Sequence, residues 1–152
     1  MLRGFGIRTF SMGVALSLAM VAAPAFAQDA AQPAAPVLAL DGDAATITVL
    51  IKPDKTADFE MVLARLREAL LKSDKPVRRQ QADGWFIYKG AQPVQGNAVY
   101  IMRIEPVVAG EEYDISRLIA EVFPTEVQDI FAKYRDAFAG RAIAAMTPMP
   151  GQ

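Results

Sequence analysis

Three runs rich in β-branched and aromatic residues constrain this chain most, because each carries apolar side chains on both of its faces. In residues 46–52 (TITVLIK), Ile47, Val49 and Ile51 share one face, while Leu50 sits between Thr46 and Thr48 on the other. In WFIYK, Trp85 and Ile87 oppose Phe86 and Tyr88, and in AVYIMRIEP, Val99 and Ile101 oppose Tyr100, Met102 and Ile104. A sheet with one face in water normally alternates apolar and polar residues. These strands do not, so both faces of the sheet they form call for cover.

The chain has 152 residues, 53% of them apolar, which is one domain's length with material for a real core. Sixteen basic residues against 17 acidic ones give no electrostatic footprint for nucleic acid. There is no histidine and no cysteine. That excludes histidine-based triads and imidazole metal sites, along with disulfides, thiolate nucleophiles, zinc-thiolate sites and iron–sulfur clusters.

Residues 1–27 place Arg3 and Arg8 before an apolar run and end in Pro24 and Ala25-Phe26-Ala27. This is the pattern of a cleavable secretory signal ending near Ala27, since the strongly apolar part is too short for a spanning helix. Its loss takes two of the 16 basic residues and leaves 14 against 17 acidic, in a chain expected in the periplasm or outside a bacterium with no membrane association. Residues 28–43 (QDAAQPAAPVLALDGD) read as a flexible lead-in rich in Ala and Pro, residues 44–148 as the folded domain, and residues 149–152 as a loose tail.

Within the domain, strand 46–52 is followed by an amphipathic helix whose buried stripe is Phe59, Val62, Leu63, Leu66 and Leu70. The stretch RRQQADGWFIYKGA reads as a strand bulged or turned at Asp83-Gly84, forming a hairpin with AVYIMRIEP. A short helix follows, interrupted at Pro124, and then a longer one with the stripe Val127, Ile130, Phe131, Tyr134 and Phe138, closed by Gly140. RAIAAMT is the last strand. The order β-α-β-β-α-α-β predicts an α+β, ferredoxin-like fold, with a four-stranded antiparallel sheet covered by helices on one face. The second face is then expected to meet a second copy of the chain in an isologous homodimer, the alternative being cover by residues 28–43 or by the broken helix.

The stretches IKPDKTADFE, QADGW, QGNAVY and FPTEVQ resemble a group of small exported bacterial proteins without assigned activity, over about residues 45–140. With Gly84-Trp85-Phe86-Ile87-Tyr88-Lys89 opening the hairpin, the chain also resembles the dimeric α/β-barrel superfamily that includes the antibiotic biosynthesis monooxygenase-like domains. The resemblance implies a dimeric barrel, and two activities found among its members. Haem degradation there uses a histidine, which this chain lacks. Cofactor-independent oxidation of aromatic substrates uses Asn, Trp and Tyr side chains, for which this sequence offers Asn97, Trp85, Tyr88 and Tyr100.

No catalytic motif lies in the sequence, and Asn97 beside Gly96 is accounted for by turn chemistry. Trp85, Tyr88, Tyr100, Met102 and Arg103 are the candidate contacts for a small apolar or aromatic ligand, with no catalytic residue, cofactor or metal assigned. Arg103 and Glu105 interrupt an apolar strand and are expected to reach water at its end. Arg78 and Arg79 read as a small basic spot at a solvated strand end. The acidic stretches at Asp41–Asp43 and at Glu111, Glu112 and Asp114 lack the ligand pattern of a calcium loop, and Asp114 is a candidate helix cap. The leading expectation is an exported binding or interaction protein without catalysis. The alternative is a cofactor-independent monooxygenase-type enzyme acting beside Trp85, Tyr88 and Tyr100.

Overall fold

A computed structural model describes residues 35–151. The expected secretory signal and the first part of the expected lead-in fall in residues 1–34, outside the described residues. The elements are β1 (Ala44–Ile51), α1 (Thr56–Lys72), α2 (Pro76–Gly84), β2 (Trp85–Lys89), β3 (Ala98–Ile104), α3 (Ile115–Val122), α4 (Val127–Ala137) and β4 (Phe138–Met146). The four strands form one antiparallel sheet in the order β2-β3-β1-β4, with the helices on one face. That order and the split β-α-β connection are compatible with the ferredoxin-like arrangement.

The helix face holds the core. Ile47, Val49 and Ile51 of β1 and Tyr100, Met102 and Ile104 of β3 pack against all five predicted stripe residues of α1. Phe59 anchors an aromatic group with Tyr100 at 4.9 Å and Tyr134 at 6.2 Å between ring centres. Such pairs add to area burial through their edge-to-face and offset geometry.

Three local expectations are corrected. Residues 76–84 form a helix, not the start of a bulged strand. Pro76 sits in its first turn, and its buried side chains are Arg78, Gln81 and Ala82, an i, i+3, i+4 face hidden from hydrophobicity because two of the three are polar. Gly84 ends α2 where a Cβ would come within 3.0 Å of the Glu105 carbonyl oxygen, so only glycine lets the Glu105–Pro106 backbone approach. Gly140 does not close α4. It lies inside β4 opposite Leu50, and Phe138 opens that strand. Of the predicted α4 stripe, Ile130 and Tyr134 are buried, while Phe131 lies exposed with the Arg135 guanidinium 5.8 Å from its ring.

The end of the expected loose lead-in is packed. Leu40 is buried, and the Glu112 carboxylate accepts hydrogen bonds from the backbone N–H groups of Val37, Leu38 and Asp114 at 2.8, 3.0 and 2.8 Å. Tyr113 N–H donates to the Leu38 carbonyl at 2.7 Å. Asp114 caps α3 by accepting from Arg117 N–H at 3.0 Å, as expected of a residue in that place.

Candidate functional site

Strand parity sorts the five candidate ligand contacts. Cross-strand partners share a face of the sheet, and Trp85 pairs with Ile104, Ile87 with Met102, and Lys89 with Tyr100. Trp85, Tyr100 and Met102 therefore face the helices, where all three are buried. Tyr88 and Arg103 belong to the opposite, open face. The sheet separates the five residues into two sets, and its thickness lies between Trp85 and Tyr88.

On the helix side the Tyr100 hydroxyl and the charged groups beside it are engaged. The Tyr100 hydroxyl donates to Glu60 Oε1 at 2.7 Å, and the Lys89 ammonium donates to the same oxygen at 2.7 Å. Bonds from Lys89 and Tyr100 hold the Glu60 carboxyl below the usual range. Burial and the bond to Glu60 push the Tyr100 hydroxyl up, so it remains a proton donor at neutral pH. A neutral, committed phenol is a poor acid–base group. Trp85 Nε1 is buried without a hydrogen-bond partner, and the Trp85 and Tyr113 ring centres are 5.5 Å apart. The shallow dent of about 190 Å³ beside Met61, Ala64, Arg65 and Glu68 lies along α1 and includes none of the five.

The open face is apolar and lightly screened. Phe86 and Tyr88 of β2 line up with Val99, Ile101 and Arg103 of β3, then Thr46, Thr48 and Leu50 of β1, then Gly140, Ala142 and Ala144 of β4. Phe86, Tyr88 and Ile101 are 40%, 52% and 39% exposed. Arg103 reaches water, as expected, stacking its guanidinium 5.0 Å from the Phe86 ring and pairing with Glu105 at 3.0 Å. Small side chains on β4 at one edge and large ones on β2 at the other make the surface slope across the sheet. Asn97 sits in the β2–β3 turn, donating to the Gln95 carbonyl at 3.2 Å.

Sequence reasoning missed the Arg78 cluster. Arg78 is 3% exposed, not solvated. It makes a two-pronged contact with Glu121 at 3.0 and 2.7 Å and bonds Glu111 at 3.0 Å and Gln81 at 2.8 Å, and Gln81 donates to the Glu112 carbonyl at 2.9 Å. This joins α2, α3 and the loop between β3 and α3. Every partner is internal, so the cluster fastens the fold and offers no free charge to a ligand. The available signal was Pro76 at a helix start with Arg78 and Gln81 three residues apart.

Among the described residues, no group of three acidic side chains could hold a metal ion, and no helix is long and apolar enough to cross a membrane. A scan of protein-family models and a search of curated proteins gave no match to this chain.

Proposed function

We propose that this protein is an exported, non-catalytic binding module whose working surface is the open face of its sheet, closed by a second copy of the chain in a dimeric α/β-barrel arrangement. The observation that carries this reading is the exposure of Phe86, Tyr88 and Ile101 on one continuous apolar surface beside Leu50 and Val99. A patch of this kind marks an interaction site on a soluble protein. Two copies related by a two-fold axis present the same apolar surface to each other, which satisfies both with one contact.

The slope from aromatic β2 to alanine-rich β4 leaves room between facing sheets for a small apolar or aromatic molecule. Tyr88 and Arg103 are then the polar contacts that orient it. Trp85, Tyr100 and Met102 act from behind, as the packed floor that keeps β2 and β3 in place.

Native mass spectrometry of protein purified from its own host tests the ligand without a guess at its identity. The expected spectrum shows a dimer carrying a small adduct that is lost in a Tyr88→Ala, Arg103→Ala variant. A dimer without adduct would leave an interaction role and remove the ligand. Oxidation of a supplied aromatic compound by the purified chain would overturn the non-catalytic reading.

A further inference from the structure

β2 is an edge strand, paired with β3 on one side only. Glu105 N–H donates to the Gly84 carbonyl and Gly90 N–H to the Val99 carbonyl, each at 2.8 Å, which fixes the parity of the ladder. In an antiparallel pair the residues that exchange hydrogen bonds alternate, so Phe86 and Tyr88 use their backbone groups on β3. Ile87 and Lys89 aim theirs outward, and among the described residues no backbone or side-chain group meets them. The side chains do not wall off this edge, since Phe86, Ile87 and Tyr88 are all exposed.

Proteins usually blunt such an edge with a bulge, a proline or a central charge. The other edge follows that rule: β4 is rich in small residues, carries Arg141 and breaks register with β1 at Leu50/Ile51. β2 has none of these devices, and its one charge, Lys89, is at its end.

We infer that β2 is a pairing edge for a second copy of this chain, joined antiparallel about a two-fold axis through Ile87. The outward positions 85, 87 and 89 are symmetric about that residue. The axis sets Ile87 opposite Ile87 of the second copy, and Trp85 opposite Lys89, each in the geometry that exchanges two backbone hydrogen bonds. Phe86 then lies opposite Tyr88 of the second copy in the closer type of pair, an aromatic cross-strand contact on the open face. Lys89 meets an indole-bearing residue, so no like charges are opposed. An axis through Phe86 would leave Lys89, and one through Tyr88 would leave Trp85, with no residue of the strand Trp85–Lys89 opposite it, whereas the axis through Ile87 pairs all three outward positions. The contact lies in the plane of the sheet and uses its edge rather than its face, so it goes with two sheets that face each other without closing at β2, and it runs the open faces of two copies into one surface.

The absence of cysteine makes a direct test possible, because Ile87→Cys in the whole 152-residue chain introduces its only thiol. Residues exchanging hydrogen bonds across an antiparallel pair have Cα atoms about 5.5 Å apart, inside the disulfide range of about 4.4–6.8 Å. Mild oxidation is expected to join Ile87→Cys chains at least tenfold faster than Lys89→Cys chains, whose thiols would lie roughly 13 Å apart along the strands. In the unsubstituted protein, amide exchange at Ile87 and Lys89 is expected to slow as concentration rises. Equal cross-linking of the two variants, or exchange that ignores concentration, would overturn the inference. Protection that appears only when another protein is added would overturn it too, assigning the edge to a foreign strand. Thr48→Cys, at the middle of the open face, reports the face-to-face contact separately, so the loss of either contact is read apart from the other.

Discussion

The two faces of the sheet are built from similar residues and meet different surroundings. On the helix side, Ile47, Val49, Ile51, Met102 and Ile104 are shut away beneath Phe59, Val62, Leu66 and Ile119. On the open side, Leu50, Val99, Ile101, Phe86 and Tyr88 have comparable apolar bulk and nothing described above them. The difference lies in the helices. α1 and α4 each have one apolar stripe, and the geometry of a split β-α-β unit brings both stripes to the same side. The described helices close one face of the sheet, and the two-faced strand pattern is what supports the proposed contact of the other face with a second copy.

The largest expected effect tests whether the faces differ in energy as they do in cover. Phe59→Ala should cost about 3–5 kcal/mol, as a large aromatic removed from a closed core does. Ile101→Ala, measured by urea unfolding at a dilution that separates chains, should cost less than about 1 kcal/mol because a half-exposed side chain gives up little burial. Equal losses would mean that the open face is already packed.

Next in size is the Arg78 cluster, the polar fastening at the end of the closed layer. Glu121 and Glu111 remain 23% and 35% exposed, so they are part-solvated when their partner is removed. Arg78→Met should therefore cost roughly 2 kcal/mol in urea unfolding, below the range for stranding a fully buried charge. An unchanged midpoint would make the cluster incidental.

Glu112 sharpens the comparison by showing where the lead-in is held. Burial opposes ionisation of its carboxyl, but the N–H donors of Asp114, Val37 and Leu38 outweigh it and hold the group below the usual carboxylate range. A lowered value in the folded state contributes stability that is present above the unfolded value of 4.5 and fades as pH falls through the folded one. Glu112→Gln should cost about 1 kcal/mol at neutral pH and flatten that acid limb. Amide exchange at Val37 and Leu38 should quicken in the variant, and unchanged exchange would show that Leu40 alone holds the segment.

The smallest effect at neutral pH belongs to Tyr134. Burial, with Asp114 nearby, pushes its hydroxyl up to about 12. The raised value favours the neutral form in the fold, so its contribution is complete below the unfolded value of 10.0 and is lost as pH rises toward about 12. Tyr134→Phe should flatten the decline of stability in that alkaline window. An unaltered decline would place the titrating group elsewhere.

Much of the fold was legible because periodicity survives as chemistry. The α1 stripe and β1's alternation of Ile47, Val49 and Ile51 with Thr46, Thr48 and Leu50 are patterns of apolar residues at fixed spacing, and both faces of β3 could be assigned by parity. α2 was hidden because it buries Arg78 and Gln81, whose partners Glu111, Glu112 and Glu121 lie 31 to 43 residues away. Gly140 resembled a helix stop, yet it is a strand residue at which an added Cβ would lie 3.5 Å from the Leu50 side chain, a neighbour known only once β4 is laid beside β1. Among the candidate contacts, Tyr88 and Arg103 had the right chemistry to be surface residues. Trp85, Tyr100 and Met102 shared that chemistry but differ by one step in strand parity, which exchanges an open surface for a core.

Sedimentation velocity of the chain and of its Thr48→Glu variant, at matched micromolar concentrations, tests the central claim most directly. A carboxylate at the middle of the open face would be driven against its own copy across a face-to-face contact while adding little strain to a single chain. The account predicts an associated protein whose mass falls by half in the variant, whether or not the β2 edge is also paired. A protein that sediments as a monomer throughout, or a variant with unchanged mass, would contradict it.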